Sequence, residues 1–511
     1  MRPERRLGRG GFVALMALAG LFALVFADLE VASHDPWDVL ARMGAGLLRP
    51  DFSAVADLGW ALAWTVAFAL VGVAVGALAG LLAAPFYGVR ALRWLLIGLR
   101  SVHEVFWALL LMQVTGISPL TGVLAIALPY AGTFAKVFAE LIEEADKRPL
   151  LALPPVDPLS RFLFARAPLV AREAWSYVLY RVECGLRSSA VLGFIGLPTL
   201  GFQLDAFFRV GDYGGVAAVL ILYVALVASL RVWLRLALVP VWLVAALAAL
   251  SVIAVPPMGS GALWRFLSQD IVPAPLRRGE GLAGLWEWLA ALLSGQVWPG
   301  LWTTLVVGQL ALVLTGVLVF FTFGLGIRRV SGWAVWPARG AMIVARTIPE
   351  YMLAYLFLQV LGPSMLPVVL ALAIHNGAII AHLMAREAEG LGLRADAPSG
   401  LTLWGWELVP RLFGRFVALC LYRWEMILRE TAIMGLLGVA TLGFYLDSAL
   451  EALRMDVAMV LVLFTALMTA CVDALSRSVR ARFGAGALRV GQAVGCVPED
   501  RDAVVGQPRS V

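Results

Sequence analysis

The chain is short of charge and of every residue pattern that marks chemical catalysis. Charged residues fill 14% of its 511 positions, while hydrophobic residues fill 61%. Mean hydropathy is +0.88. A soluble domain carries roughly 25% charged residues, so this composition excludes an ordinary soluble protein. The four cysteines, Cys184, Cys420, Cys471 and Cys496, have neither zinc-ligand spacing nor the look of a disulfide framework. The first three lie in or beside apolar segments and read as small packing residues. His103, His375 and His382 share no metal-ligand spacing and read as packing or solvent-contact histidines. No glycine-rich loop ends in Gly-Lys-Ser/Thr, and there is no His-Glu-x-x-His and no serine elbow. No catalytic residue, metal or bound cofactor is therefore expected on this chain. The net charge of +6 is not gathered into a basic soluble domain, so nucleic acid is not an expected partner.

What remains is apolar sequence long enough to cross a bilayer many times, since about 20 residues suffice for one crossing. The chain reads as an all-α, polytopic membrane protein of about twelve spans, at 11–28, 58–84, 94–113, 116–139, 176–196, 212–232, 236–256, 299–325, 335–360, 363–384, 415–438 and 454–475. The first is expected to be an uncleaved helix entering from a basic end. Arg148, Arg161, Arg166 and Arg172 follow the fourth span, and Arg386, Arg394 and Arg411 follow the tenth. They fall on the side of Arg2, Arg5 and Arg6, which the positive-inside tendency makes cytoplasmic. The segment 30–57 is acidic and expected outside, as is 260–296, whose GLWEWLAALL stretch suits a short helix at the membrane surface. Residues 483–511 read as a cytoplasmic tail.

The chain also repeats itself. YRVECGLRSSAVLGFIGLPTLGFQLD at 180–205 and YRWEMILRETAIMGLLGVATLGFYLD at 422–447 agree at 14 of 26 positions without a gap. RSVHEVFWALLLMQVTG at 100–116 and RTIPEYMLAYLFLQVLG at 346–362 agree at 7 of 17. The offsets, 242 and 246 residues, are nearly one spacing. Six expected spans separate equivalent points, so the two homologous halves run parallel. Their expected limits are 1–235 and 236–482, with a path between them.

The duplicated segments carry charge in an apolar setting, where an uncompensated charge costs several kcal/mol. Glu183 with Arg187, and Glu425 with Arg429, stand four apart and are expected to bridge along a helix. Arg100 with Glu104, and Arg346 with Glu350, keep that spacing in reverse order, and His103 aligns with Pro349. Gly193, Gly196 and Gly201 recur as Gly435, Gly438 and Gly443, a spacing that permits close packing or a broken helix. Thr199 and Thr441 stand beside the break. Arg100, Arg187, Arg346, Arg429, Thr199 and Thr441 are thus candidates to line an anion path. At this point an ion-coupled secondary transporter, an ATP-driven permease and a non-transporting scaffold all remain open.

The Tyr-Arg-x-Glu segments running into Arg-Ser-Ser-Ala and Arg-Glu-Thr-Ala, with RSVHE and RTIPE, resemble the phosphonate permease family of binding-protein-dependent ABC importers, as two permease copies fused in one chain. RPDFSAVADLGWALAWT resembles that family's approach to its second helix. The resemblance implies a type I importer-like fold and a phosphonate or related phosphorus oxyanion as substrate. It also implies two cytoplasmic ATPase subunits carrying ATP and Mg, an extracytoplasmic binding protein, and the bacterial inner membrane. Coupling loops would lie at 140–172 and 386–415, with Pro155, Pro168, Ala397 and Pro410 at the family's motif positions. The family's Gly-Ala-Gly-Gly-Ile-Gly end reads GLPTLG and GVATLG here.

Overall fold

The computed structural model describes residues 9–482 apart from 34, 54, 146, 147, 149–156, 258 and 395. The expected tail, 483–511, lies outside the described residues. Among them the chain is helices and their connections, with no strand. The first part holds α1 (Arg9–Val25), α2 (Pro36–Leu48), α3 (Val55–Ala83), α4 (Arg90–Ser101), α5 (Glu104–Thr115), α6 (Pro119–Glu144), α7 (Ala167–Val191), α8 (Leu200–Arg209) and α9 (Tyr213–Ala228). The second holds α10 (Val239–Ser251), α11 (Gly281–Leu292), α12 (Trp298–Thr322), α13 (Val335–Thr347), α14 (Glu350–Leu361), α15 (Met365–Gly390), α16 (Val409–Ile433), α17 (Leu442–Glu451) and α18 (Met455–Arg482).

Five helical runs are long and apolar enough to cross a membrane, and four bent pairs raise the number of candidate spans to nine. Three shorter apolar helices, Val13–Val25, Tyr213–Ala228 and Leu236–Ser251, come in addition. Two expected spans are not straight. The run 94–113 breaks between α4 and α5 with a 96° bend, and 335–360 breaks between α13 and α14 with a 97° bend. The cause is local backbone. Val102 and His103 are extended, as are Ile348 and Pro349. Pro349 has no N–H to continue a helix. At the matching position the His103 ring nitrogen Nδ1 accepts the Val105 N–H at 3.2 Å, which starts a new helix in proline's stead.

The segment around GLWEWLAALL departs from expectation too. It is not a separate surface helix: α11 passes through a π-helical turn at Leu293–Val297 into α12, giving one 46-residue run, Gly281–Gly326. At 1.5 Å per residue such a run is about twice as long as the roughly 30 Å apolar layer.

Hydrophobicity alone does not hold helices together in lipid; close van der Waals contact does. α3 meets α6 through glycines four apart. A Cβ on Gly72 would stand 2.8 Å from the Ile126 Cβ, and one on Gly76 2.9 Å from the Tyr130 Cβ. The buried side chains form two large clusters, one mostly before residue 236 and one mostly after it. They interpenetrate: Val105 and Phe106 of α5 belong to the later cluster, and Met352 of α14 to the earlier one. The first helices cross over as well. α1 packs on α12, with Phe26 and Trp302 rings edge to face at 5.1 Å. α10 packs on α3, where the Trp64 indole donates to the Ala249 carbonyl at 3.0 Å.

Candidate functional site

The duplicated segments come together at the bends. The long helix α7 carries Arg187, and α16 carries Arg429. The two i, i+4 ion pairs expected along these helices are not among the ion pairs of the described residues. The arginines turn across the molecule instead. Arg187 donates from Nη1 to His375 Nε2 at 3.0 Å. Accepting that bond leaves the proton on Nδ1, which donates to the Ile348 carbonyl at 2.9 Å. His375 is completely buried, and Glu350 Oε2 lies 3.4 Å from its Nε2. One imidazole thus ties an arginine of α7 to the bend before α14. Arg429 donates from Nη1 to the Arg100 carbonyl at 3.2 Å, at the bend after α4.

Arg100 itself is neutralised. Its guanidinium stands 3.4 Å from Asp473 and 4.0 Å from Glu425, and Asp473 also pairs with Arg477. Arg346, its counterpart, has no hydrogen bond or ion pair among the described residues, and its Nε is buried. Glu104 accepts a hydrogen bond from Ser188, with His103 Nε2 3.6 Å from its other oxygen. Tyr130 reaches the same Ser188 hydroxyl at 3.4 Å. In the second part Asn376 donates to Glu430 at 3.1 Å, and Arg423 donates to Asn376 at 3.4 Å.

Thr199 and Thr441 are fully buried, and their hydroxyls reach the Ala190 and Ala432 carbonyls, each at 3.4 Å. They stitch the two sides of the second pair of bends, α7 to α8 and α16 to α17, rather than face open space. Both of those bends measure 46°. The six glycines divide by job. Gly196 and Gly438 take the left-handed backbone, at φ 97° and 88°, that ends each long helix. Gly193, Gly201, Gly435 and Gly443 let the following short helix approach. A Cβ on Gly201 or Gly443 would collide with the Ala190 or Ala432 carbonyl.

Of the loop positions, Pro168 and Pro410 sit at the starts of α7 and α16, each after a π-helical turn, Phe162–Arg166 and Leu403–Leu408. Ala397 lies in the connection before that turn, and Pro155 lies outside the described residues.

Sequence reasoning passed over several polar residues of this layer. Arg181, with Tyr130, Tyr177 and Tyr180 rings within 5.2–5.5 Å, and buried Arg423 belong to the repeated Tyr-Arg pair, so their recurrence was the available signal. Asn376, Glu430 and Asp473 have no identical counterpart in the other half and left no such trace. Among the described residues no cluster of histidine, cysteine or carboxylate side chains could hold a metal.

The arrangement supplies guanidinium groups and broken helices at a contact between the two parts of the chain. No family model matches the chain, and no solved structure matches it. The phosphate-import permease protein PhnE of Mycolicibacterium smegmatis is 27% identical over 415 residues, covering 75% of this chain and 76% of that protein. The phosphite transport system permease protein PtxC of Stutzerimonas stutzeri is 36% identical over 137 residues, 26% of this chain and 50% of its own length. With the multi-pass helical fold, these matches show a chain homologous to permease proteins of phosphate-import and phosphite-transport systems, at moderate identity over part of its length.

Proposed function

We propose that the chain is the two-permease, membrane-spanning subunit of an ATP-driven importer for phosphonate or a related phosphorus oxyanion. Its halves, 1–235 and 236–482, form a parallel pseudo-dimer of twelve spans with both termini cytoplasmic. Two ATPase subunits hydrolyse ATP below, and a binding protein delivers substrate from outside. Closure of the ATPases against the connections around Ala397, Pro168 and Pro410 switches the path between outward and inward openings. The observation that carries this reading is the crossed placement of Arg187 and Arg429 at the bends of the opposite half. Guanidinium groups match phosphoryl oxygens with several donors, and bent helices at a contact between halves can change their angle together.

The test is uptake by proteoliposomes holding the chain, its ATPases and the cognate binding protein. ATP-dependent accumulation of phosphonate, phosphite or phosphate is the expected result. Accumulation driven by an ion gradient without ATP, or none of any phosphorus oxyanion, overturns the reading.

A further inference from the structure

The two arginines at the 96° and 97° bends are equivalent in sequence and unequal in surroundings. Arg100 and Arg346 each occupy the last turn of the helix before the bend. The carbonyl end of that helix compensates part of either charge equally. The difference lies in what faces them. Around Arg100 stand Asp473 and Glu425, with Lys136 and Glu140 of α6 paired at 3.8 Å. With Arg477 on Asp473, that set balances three bases, Arg100, Lys136 and Arg477, against three acids.

At the corresponding positions around Arg346 the acids are largely gone. Arg231 stands 242 residues before Asp473, so a base replaces the acid that neutralises Arg100. Arg386 and His382 of α15 stand where α6 carries Glu140 and Lys136. Only Glu183, the counterpart of Glu425, remains acidic. α13 packs on α15, which carries His382 and Arg386, and on α9, whose C-terminal end leads into Arg231; the charges of Arg231, Arg386 and Arg187 bear on Arg346 there, opposed by Glu183. Among the described residues none of Arg346, Arg231, Arg386 and His382 has a hydrogen bond or ion pair, and the Arg346 Nε is buried. Like charges gathered around the half-buried Arg346 repel one another unless an anion joins them.

We propose that Arg346, Arg231, Arg386 and His382 form a binding site for a phosphoryl group, built around α13 and without a counterpart around α4. Donors arriving from three separate elements suit a tetrahedral oxyanion better than a planar carboxylate. The phosphoryl group comes either from a free oxyanion or from a lipid headgroup. The site does not depend on transport, because binding to the chain alone decides it.

The experiment uses the full chain, purified and delipidated in neutral detergent. One arm titrates inorganic phosphate; the other places the chain in neutral-lipid nanodiscs doped with phosphatidylglycerol. The expected result is saturable binding of one phosphoryl group that weakens about tenfold or more in Arg231→Asp. That change writes the Arg100 arrangement into the second site and lets the protein's own carboxylate take the anion's place. Arg231→Gln and Arg386→Gln, both on exposed side chains, lower affinity several-fold and guard against misfolding of the first variant. Loss in the phosphate arm identifies a free oxyanion as occupant, and loss in the nanodisc arm alone identifies a headgroup. Binding of both probes by all three variants as tightly as by the parent, or no binding by the parent, overturns the proposal.

Discussion

Arg187 shows how a residue's sequence neighbours can misdirect. Glu183 is one helical turn away, yet the guanidinium reaches His375, 188 residues along the chain. A double-mutant cycle separates the two pairings. Arg187→Met with His375→Leu is expected to show a coupling of about 1 kcal/mol or more in detergent unfolding, because the partners share a buried hydrogen bond. Arg187→Met with Glu183→Gln is expected to be additive within about 0.5 kcal/mol. The opposite ranking would restore the pairing along the helix. The reason the sequence hid this contact is physical: i, i+4 spacing reports only neighbours on one helix. His375 aligns with Pro129 in the other half, so no repeat marked it.

Among the elements, the bent pairs were the most legible and the long run the least. Duplicated glycines and the His103/Pro349 alignment pointed to interrupted helices, since left-handed backbone and a missing N–H are written in residue identity. The continuity of α11 with α12 was not readable. Glycine and tryptophan at its start look like a loop and an interface helix, and only packing decides whether a π-helical turn joins them. The glycines allow a test at this scale. Gly201→Ala or Gly443→Ala sets a methyl against the Ala190 or Ala432 carbonyl at the tightest approach of the second bends. Each is expected to destabilise by roughly 1–3 kcal/mol, read as a lowered unfolding temperature in detergent. Gly98→Ala, in α4 with open space around it, is the control and is expected to change little. Equal stability of all three would mean that the short helices α8 and α17 do not need their close approach.

For the whole molecule, the sequence showed a duplication but not how its copies engage. Two boundaries read from an offset describe a chain cut in two, whereas α1 packs on α12 and α10 on α3. Helix exchange between copies leaves no spacing in one chain, because each apolar face looks alike whichever partner it meets. If the two copies are expressed as separate polypeptides, 1–235 and 236–511, they are expected to copurify as one complex with near-parental unfolding temperature. Two independently stable, separately eluting proteins would show that the crossed helices are dispensable.

The crossed first helix also sets a schedule for biosynthesis. α1 leaves the ribosome roughly 270 residues before α12 begins, which at about 5–20 residues per second is roughly 15 to 55 s of translation. Until then its docking groove does not exist. Gly20, whose missing side chain makes room for Val313, spends that interval facing lipid or the insertion machinery. A nascent chain arrested before residue 298 would therefore hold its first helix as an orphan, open to membrane quality control, and release from that vulnerability comes only when the second copy arrives.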